Sequence, residues 1–450
     1  MRKLSTIFIS VLAAVSCVPK VESPAPGAEE ASVFPDYREV TIPPNIAPLN
    51  FSLEDEGSRG VAIFENGENT LALKSRNGEF RIPEKKWRDL AVPGSEILVT
   101  VAVRDGRKYI VRKPFSIFVS EDNIDPYVAY RLIDPGYETW NKMGLYQRCL
   151  EDFTETPIIT NEKTDQNCMN CHSFMTRDPG TMMFHMRSRN GGTYVWKNGK
   201  IEKLNTKTPR TISALVYPYW HPSGKYIAFS VNDIAQFFHS TDPNRIEVYD
   251  YKSDVVVYGV DDHQISSSPQ LMDTTRMETF PSFSPDGKTL YFCTSSLPDM
   301  PQGYKDVRYS ICSIPFDPDS FSFGDKVDTV YNAIRSGKDA TFPRVSPDGR
   351  FLLFSETAYG CFAIWHKDSQ LRMIDLEDGS LRDLDGINGP DADSYHSWSG
   401  NSRWIIWASR RIDGLYSRLF IAHIDKDGNT SKPFLLPQES IRHDKELMRS

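Results

Sequence analysis

The sequence predicts a mainly β chain: an N-terminal β-sandwich of immunoglobulin-like layout, a short helical segment, and a C-terminal β-propeller of five to six blades. Three observations carry this. Short alternating apolar runs separated by Asn-Gly and Asp-Gly pairs fill the first part of the chain. A Pro-Asp-Gly turn followed by an aromatic-aliphatic strand recurs at long intervals in the second half. Twenty Tyr, 25 Phe and 8 Trp beside 30 Pro and 27 Gly suit many short strands joined by turns better than long helices. The 450 residues exceed one ordinary core and call for two or three domains. A formal net charge of -8 offers no basic field for nucleic acid or an anionic membrane surface.

Met1, Arg2 and Lys3 form a short basic region, followed by an apolar run over 4–15 and then Ser16 and Cys17. That run is too short to cross roughly 30 Å of hydrocarbon as a helix, so it reads as a secretory signal, 1–17. Its ending Ala14-Val15-Ser16-Cys17 resembles a bacterial lipobox, which implies a diacylated Cys17 as the mature N-terminus. The expected site is then the cell envelope, facing the periplasm from the outer membrane and held by lipid alone. Residues 18–36 are small, Pro-rich and acidic and read as a flexible tether.

The β-sandwich is expected over 37–125, with strands at 60–64, 70–73, 96–103, 109–111 and 115–119. Turn pairs Asn66-Gly67, Asn77-Gly78 and Asp105-Gly106 separate them. The segment 126–180 breaks the pattern. Trp140, Met143, Tyr146, Leu150 and Phe153 recur at three- to four-residue intervals, which predicts an amphipathic helix over 137–153.

From 181 to 450 the chain repeats itself. Residues 217–230, 280–293 and 342–355 align, and 395–408 is a weaker fourth copy with Gly400-Asn401-Ser402 in place of Pro-Asp-Gly. Corresponding basic residues Lys225, Lys288, Arg350 and Arg403 are spaced as propeller blades are. In each turn Pro and Asp pre-set the geometry and Gly takes the positive φ. Residues 182–204 read as an incomplete further blade. These copies resemble the TolB-type propeller repeat, which implies an architecture and leaves activity open.

The chemistry lies in Cys168-Met169-Asn170-Cys171-His172, the C-x-x-C-H signature of covalent haem c. Two thiols at this spacing can reach the two vinyl groups, and the adjacent imidazole is delivered to the iron as proximal ligand. An exported chain matches where haem c is assembled. The competing readings are a local Cys168–Cys171 disulfide or half of a zinc site. For the far side of the iron, strand alternation over 181–187 puts Met182, Phe184 and Met186 on one face and Met183, His185 and Arg187 on the other. That makes His185 the leading distal ligand, with Met175, Met182, Met183 and Met186, and Met143 on the expected helix, as alternatives. Cys149, Cys293, Cys312 and Cys361 have no pairing that sequence alone fixes. His221 and His396 fall in blade turns. No Gly-x-Ser-x-Gly elbow, phosphate loop or His-Glu-x-x-His is present.

The lipobox, the β-domain, Trp140 to Tyr146, the run 167–174 and the repeats together resemble a TolB-like β-propeller lipoprotein family of the Bacteroides group that carries a haem c motif. The resemblance implies an envelope location and haem binding and supplies no substrate. The expected function is single-haem electron transfer or redox sensing, the propeller docking an envelope or redox partner. The alternatives are a non-redox module binding protein or glycan, with the Cys pair structural, and a haem enzyme acting on peroxide or another small ligand.

Overall fold

The computed structural model describes residues 28–54, 59–133, 142–208, 211–441 and the backbone of 448–449. The signal, Cys17, most of the tether and the first part of the expected helix, 137–141, lie outside the described residues.

The N-terminal domain contains the expected strands, now Gly60–Asn66, Asn69–Ser75, Glu96–Asp105, Lys108–Val111 and Phe115–Val119. They form one sheet with Val40–Ile42, which runs parallel to Phe115–Val119. A second sheet of Val33–Phe34, Phe51–Leu53 and Glu79–Phe80 shares its core, with Phe51 lying 6.2 Å from Phe64 between ring centroids. The tether therefore ends earlier than expected. Ala31 and Val33 are buried in this core, and Val33–Phe34 pairs with Phe51–Leu53. The sequence reading also missed the helix Glu84–Leu90, which buries Trp87 and Leu90 and anchors the Trp87 indole on the Ile46 carbonyl at 2.9 Å.

Among the described residues, the rest of the chain is a β-propeller of six sheets. The first sheet corrects the expected helix: Met143–Cys149 is a strand, paired on one side with Tyr127–Ile133 and on the other with Glu155–Thr160. The physical reason lies in the burial. Met143 and Leu145 pack into the seam toward the next sheet, while Leu150 fills the core shared with the N-terminal domain. Hydrophobics spaced by two and by five satisfy a strand and its exit as readily as they mimic helical spacing. The C-terminal Met448–Arg449 pairs back onto Leu132 and Ile133 in this sheet.

The second sheet corrects the expected domain boundary at 180/181. Met169–Phe174, Met182–Met186, Gly192–Lys197 and Lys200–Leu204 are hydrogen-bonded in order, so the C-x-x-C-H segment supplies the strand that the incomplete blade lacked. The third to sixth blades begin with Leu215–Trp220, Arg276–Phe283, Asp339–Val345 and Asp393–Trp398, each followed by its antiparallel partners. Apolar clusters fill the seams between neighbouring blades.

The turns explain the repeat. In the fourth blade Ser284 Oγ donates to Asp286 at 2.6 Å, Gly287 N–H returns to the Ser284 carbonyl at 2.9 Å, and Gly287 sits at φ 73°. The weak fourth copy makes the same turn, with Ser402 at φ 63° in the glycine's place and its N–H bonded to the Ser399 carbonyl at 3.0 Å. The last blade also carries the joint to the N-terminal domain. Trp404 is fully buried, and its indole N–H donates to the Asp122 carbonyl at 3.1 Å.

Candidate functional site

Five of the innermost strands share one irregularity, and it positions the motif. Each carries a two-residue bulge where pairing with the next strand slips, at Cys171-His172, Tyr217-Pro218, Phe280-Pro281, Phe342-Pro343 and Tyr395-His396. The first residue of each pair has positive φ, 52°, 49°, 50°, 55° and 52° in chain order. For residues with a Cβ this left-handed conformation costs roughly 1–2 kcal/mol each and persists because the blade architecture over-determines it. The aromatic members pack edge-on or tilted about the propeller axis: Tyr217 to Phe280 at 4.7 Å, Phe280 to Phe342 at 4.2 Å, and Phe342 to Tyr395 at 5.1 Å between centroids. Cys171 and His172 therefore occupy, in the second blade, the address that an aromatic and a proline or histidine occupy elsewhere.

At this axis lies a cavity of about 580 Å³, bordered by the first strands of all six blades. Its wall includes Cys171, His172, Tyr219, Trp220, Arg344 and Trp398. Burial pushes the His172 imidazole down to about 4, with the nearby Arg131 adding to the effect, while a hydrogen bond to the backbone of Ala129 in the first blade holds the ring. A neutral imidazole with one nitrogen tied to a neighbouring carbonyl is in the form in which histidine binds metals. Burial also raises the Cys171 thiol pKa, partly offset by the Tyr217 backbone amide. Cys168 differs. It is buried in the apolar seam between the first two blades with Met143, Leu145, Met182, Phe184 and Met186, and does not border the cavity. All six described cysteines are free thiols.

His185, the expected distal ligand, lies apart from the cavity. Its strand is second from the axis, opposite Asn170, and its buried ring faces Thr193 Oγ1 at 3.3 Å, away from the cavity. The predicted alternation itself holds: Met182, Phe184 and Met186 fill the first seam, and Met183 the second. Met175 packs against the second seam, and Met143 accepts from the Met169 amide at 3.3 Å. None of the six candidate residues, His185 or the five methionines, borders the cavity. Among the described residues no cluster of three or more His, Cys, Asp or Glu is arranged for a metal ion. The residues at the axis thus fit one thioether, one imidazole ligand and an apolar ring system; a second thioether requires Cys168 to turn out of its seam. In haem-loaded protein, His185→Ala is expected to leave the visible spectrum and the carbon monoxide response unchanged. A mutant newly able to bind carbon monoxide would return His185 to the iron.

The axial ring of aromatics and Arg344 were missed at the level of sequence. The available signal was the recurring aromatic-Pro pair, whose common place about an axis only the fold reveals. His221 does lie at its turn, with its ring against the Gly287 carbonyl of the next blade at 3.0 Å, whereas His396 lies in a strand bulge.

Compared with models of known protein families and with curated proteins, the chain matches none. Solved structures with a similar fold include hydrazine synthase of Kuenenia stuttgartiensis, 13% identical over 58% of this chain with a TM-score of 0.37. This chain spans 64% of that one. The periplasmic gluconolactonase PpgL of Pseudomonas aeruginosa is 14% identical over 67% of this chain and 81% of its own, with a TM-score of 0.37. The Dos1 propeller is 11% identical over 92% of this chain and 96% of its own, with a TM-score of 0.34. No helix among the described residues is long and apolar enough to cross a membrane.

Proposed function

We propose that this chain is an exported, lipid-anchored propeller carrying one haem c at its axis, where it transfers single electrons or senses redox state and docks a partner through the propeller. The observation that supports this most is the placement of the C-x-x-C-H segment in an innermost strand, with Cys171 and His172 on the wall of the axial cavity. Cys168 and Cys171 would hold the haem covalently and His172 would be its proximal ligand. Haem iron supplies reversible one-electron chemistry when bound. The protein supplies the orientation of His172 through Ala129 and an aromatic wall that limits water. The N-terminal β-domain reads as an immunoglobulin-like spacer between the envelope anchor at Cys17 and the propeller.

A second reading is favoured by one observation. His172 is the sole imidazole on the cavity wall, and no methionine joins it among the bordering residues. An iron held there with an open sixth position would bind peroxide or a diatomic ligand, which suits an enzyme or a gas sensor. The ferric spectrum separates the two: low-spin for the electron carrier, high-spin and ligand-responsive for the second reading.

The test is expression in cells with haem c assembly machinery, followed by fractionation and haem staining of a denaturing gel. The wild-type chain should stain in the membrane fraction. Cys168→Ala/Cys171→Ala should abolish the stain, and Cys17→Ala should move it to the soluble fraction or leave the signal uncleaved. A colourless wild-type chain under these conditions would leave the non-redox binding module as the surviving alternative.

A further inference from the structure

Four residues bordering the axial cavity carry full charges: Asp125, Arg131, Arg177 and Arg344. The cavity is thus lined by an excess of positive charge in a chain whose net charge is -8. Asp125 is already engaged, accepting from the Gly400 amide at 2.7 Å. Arg344 is the unusual member. It follows the bulge pair Phe342-Pro343, donates from Nη1 to the Pro343 carbonyl at 2.9 Å, and lies with its guanidinium 4.9 Å from the Tyr219 ring centroid. Its own carbonyl accepts from the Trp398 indole at 3.1 Å, which fixes the backbone from the neighbouring blade. No ion pair joins Arg344 to a carboxylate among the described residues. The ionisable groups that act on it are Tyr219, Tyr395 and Cys293; burial pushes the Tyr395 phenol and the Cys293 thiol up, which keeps both uncharged near pH 7, and Arg344 in turn depresses His396.

Arg344 is half-buried on the cavity wall, and a guanidinium so placed is ordinarily paired, because drawing an ion away from water is unfavourable unless a counter-charge and good hydrogen bonds offset it. Desolvation on the cavity wall lowers its pKa. An arginine fork matches a carboxylate in planar, two-point geometry, and the Tyr219 face helps to hold the fork in place.

We propose that Arg344 is a carboxylate anchor of the axial cavity, receiving the acid group of an apolar, ring-bearing ligand. Where the ligand is haem the acid is a propionate, and in that form the inference rests on the function proposed above. Where it is a small aromatic acid, Arg344 plays the same part without haem. The aromatic wall takes the ring and the fork takes the charge.

The experiment uses the full chain with Cys168→Ser/Cys171→Ser, purified without haem, so that binding is reversible. Tryptophan fluorescence quenching then measures three probes: mesoporphyrin IX, its dimethyl ester, and benzoate. Arg344→Gln is expected to weaken mesoporphyrin IX at least tenfold while leaving the ester unchanged, and Arg344→Lys to retain part of the difference. Equal binding of the diacid with and without Arg344 would overturn the anchor and leave the haem reading standing. Arg344-dependent binding of benzoate with neither porphyrin bound would keep the anchor and assign it to a small acid. Absence of Arg344-dependent binding for every probe overturns the inference. If Arg344→Gln does not fold, the Arg344→Lys comparison between diacid and ester decides, since a lysine keeps the charge and loses the fork.

Discussion

Trp404→Ala is expected to lower the unfolding free energy by about 3–5 kcal/mol, the range for removing a fully buried tryptophan. The indole is buried where the last blade meets the N-terminal domain, within one core that includes Trp87, Tyr130 and Leu419. It also packs edge-on to His423, with centroids 4.8 Å apart, and His423 in turn lies 2.9 Å from the Asp122 carboxylate. Truncation therefore removes packing and leaves the Asp122 carbonyl without its indole donor. Trp404→Phe keeps most of the ring and loses the hydrogen bond, so its cost should fall near 1–3 kcal/mol. Urea unfolding followed by far-ultraviolet circular dichroism measures both. A change under about 1 kcal/mol for the alanine variant would mean that this shared core contributes little to stability.

If the chain carries haem c as proposed, Cys171→Ala is expected to remove nearly all of it, whereas Cys168→Ala should retain a measurable fraction. Both residues belong to one motif, but the fold separates them. Cys171 stands on the cavity wall beside His172, and Cys168 is packed among methionines and Phe184 in the seam. A single thioether through Cys171 would still hold the haem where His172 can ligate it. A single thioether through Cys168 would require the seam to open first, losing part of the apolar contact that seven buried residues make there. The ratio of pyridine haemochrome absorbance to protein gives occupancy, and the position of its α band distinguishes one thioether from two. Equal losses in the two variants would mean that Cys168 swings out of the seam during haem attachment.

Much of the propeller could be read from the sequence because its turns are chemically demanding. Ser284, Asp286 and Gly287, and likewise Ser346, Asp348 and Gly349, are needed together to close the same turn, so they recur as a string. The second blade was read as incomplete, without its inner strand, because Cys171-His172 replaces the aromatic-Pro pair that marks three of the other bulges and so removes the visible repeat there. The first blade escaped because residues 143–153 place their apolar side chains in two different clusters, a pattern that imitates one helical face. The thiol-imidazole pair stands out in the sequence by its spacing. Its setting does not, because the cavity is assembled from strands as far apart in sequence as Tyr127 and Trp398. For the same reason Arg344 gave no sign of itself: in sequence it is an ordinary basic residue, and only closure of the ring brings it opposite Tyr219.

The shared bulge has a consequence for how such a centre could arise or be relocated. Because five blades already hold a left-handed residue followed by a second bulge residue at equivalent points about the axis, the backbone that a thiol and an imidazole require is present before either residue is. Two side-chain replacements at Phe342 and Pro343 would install the pair in the fifth blade, and Tyr395-His396 stands one replacement away. The arrangement is thus modular: five of the six blades share one backbone at the axis, and the two-residue content of each decides what that blade presents there.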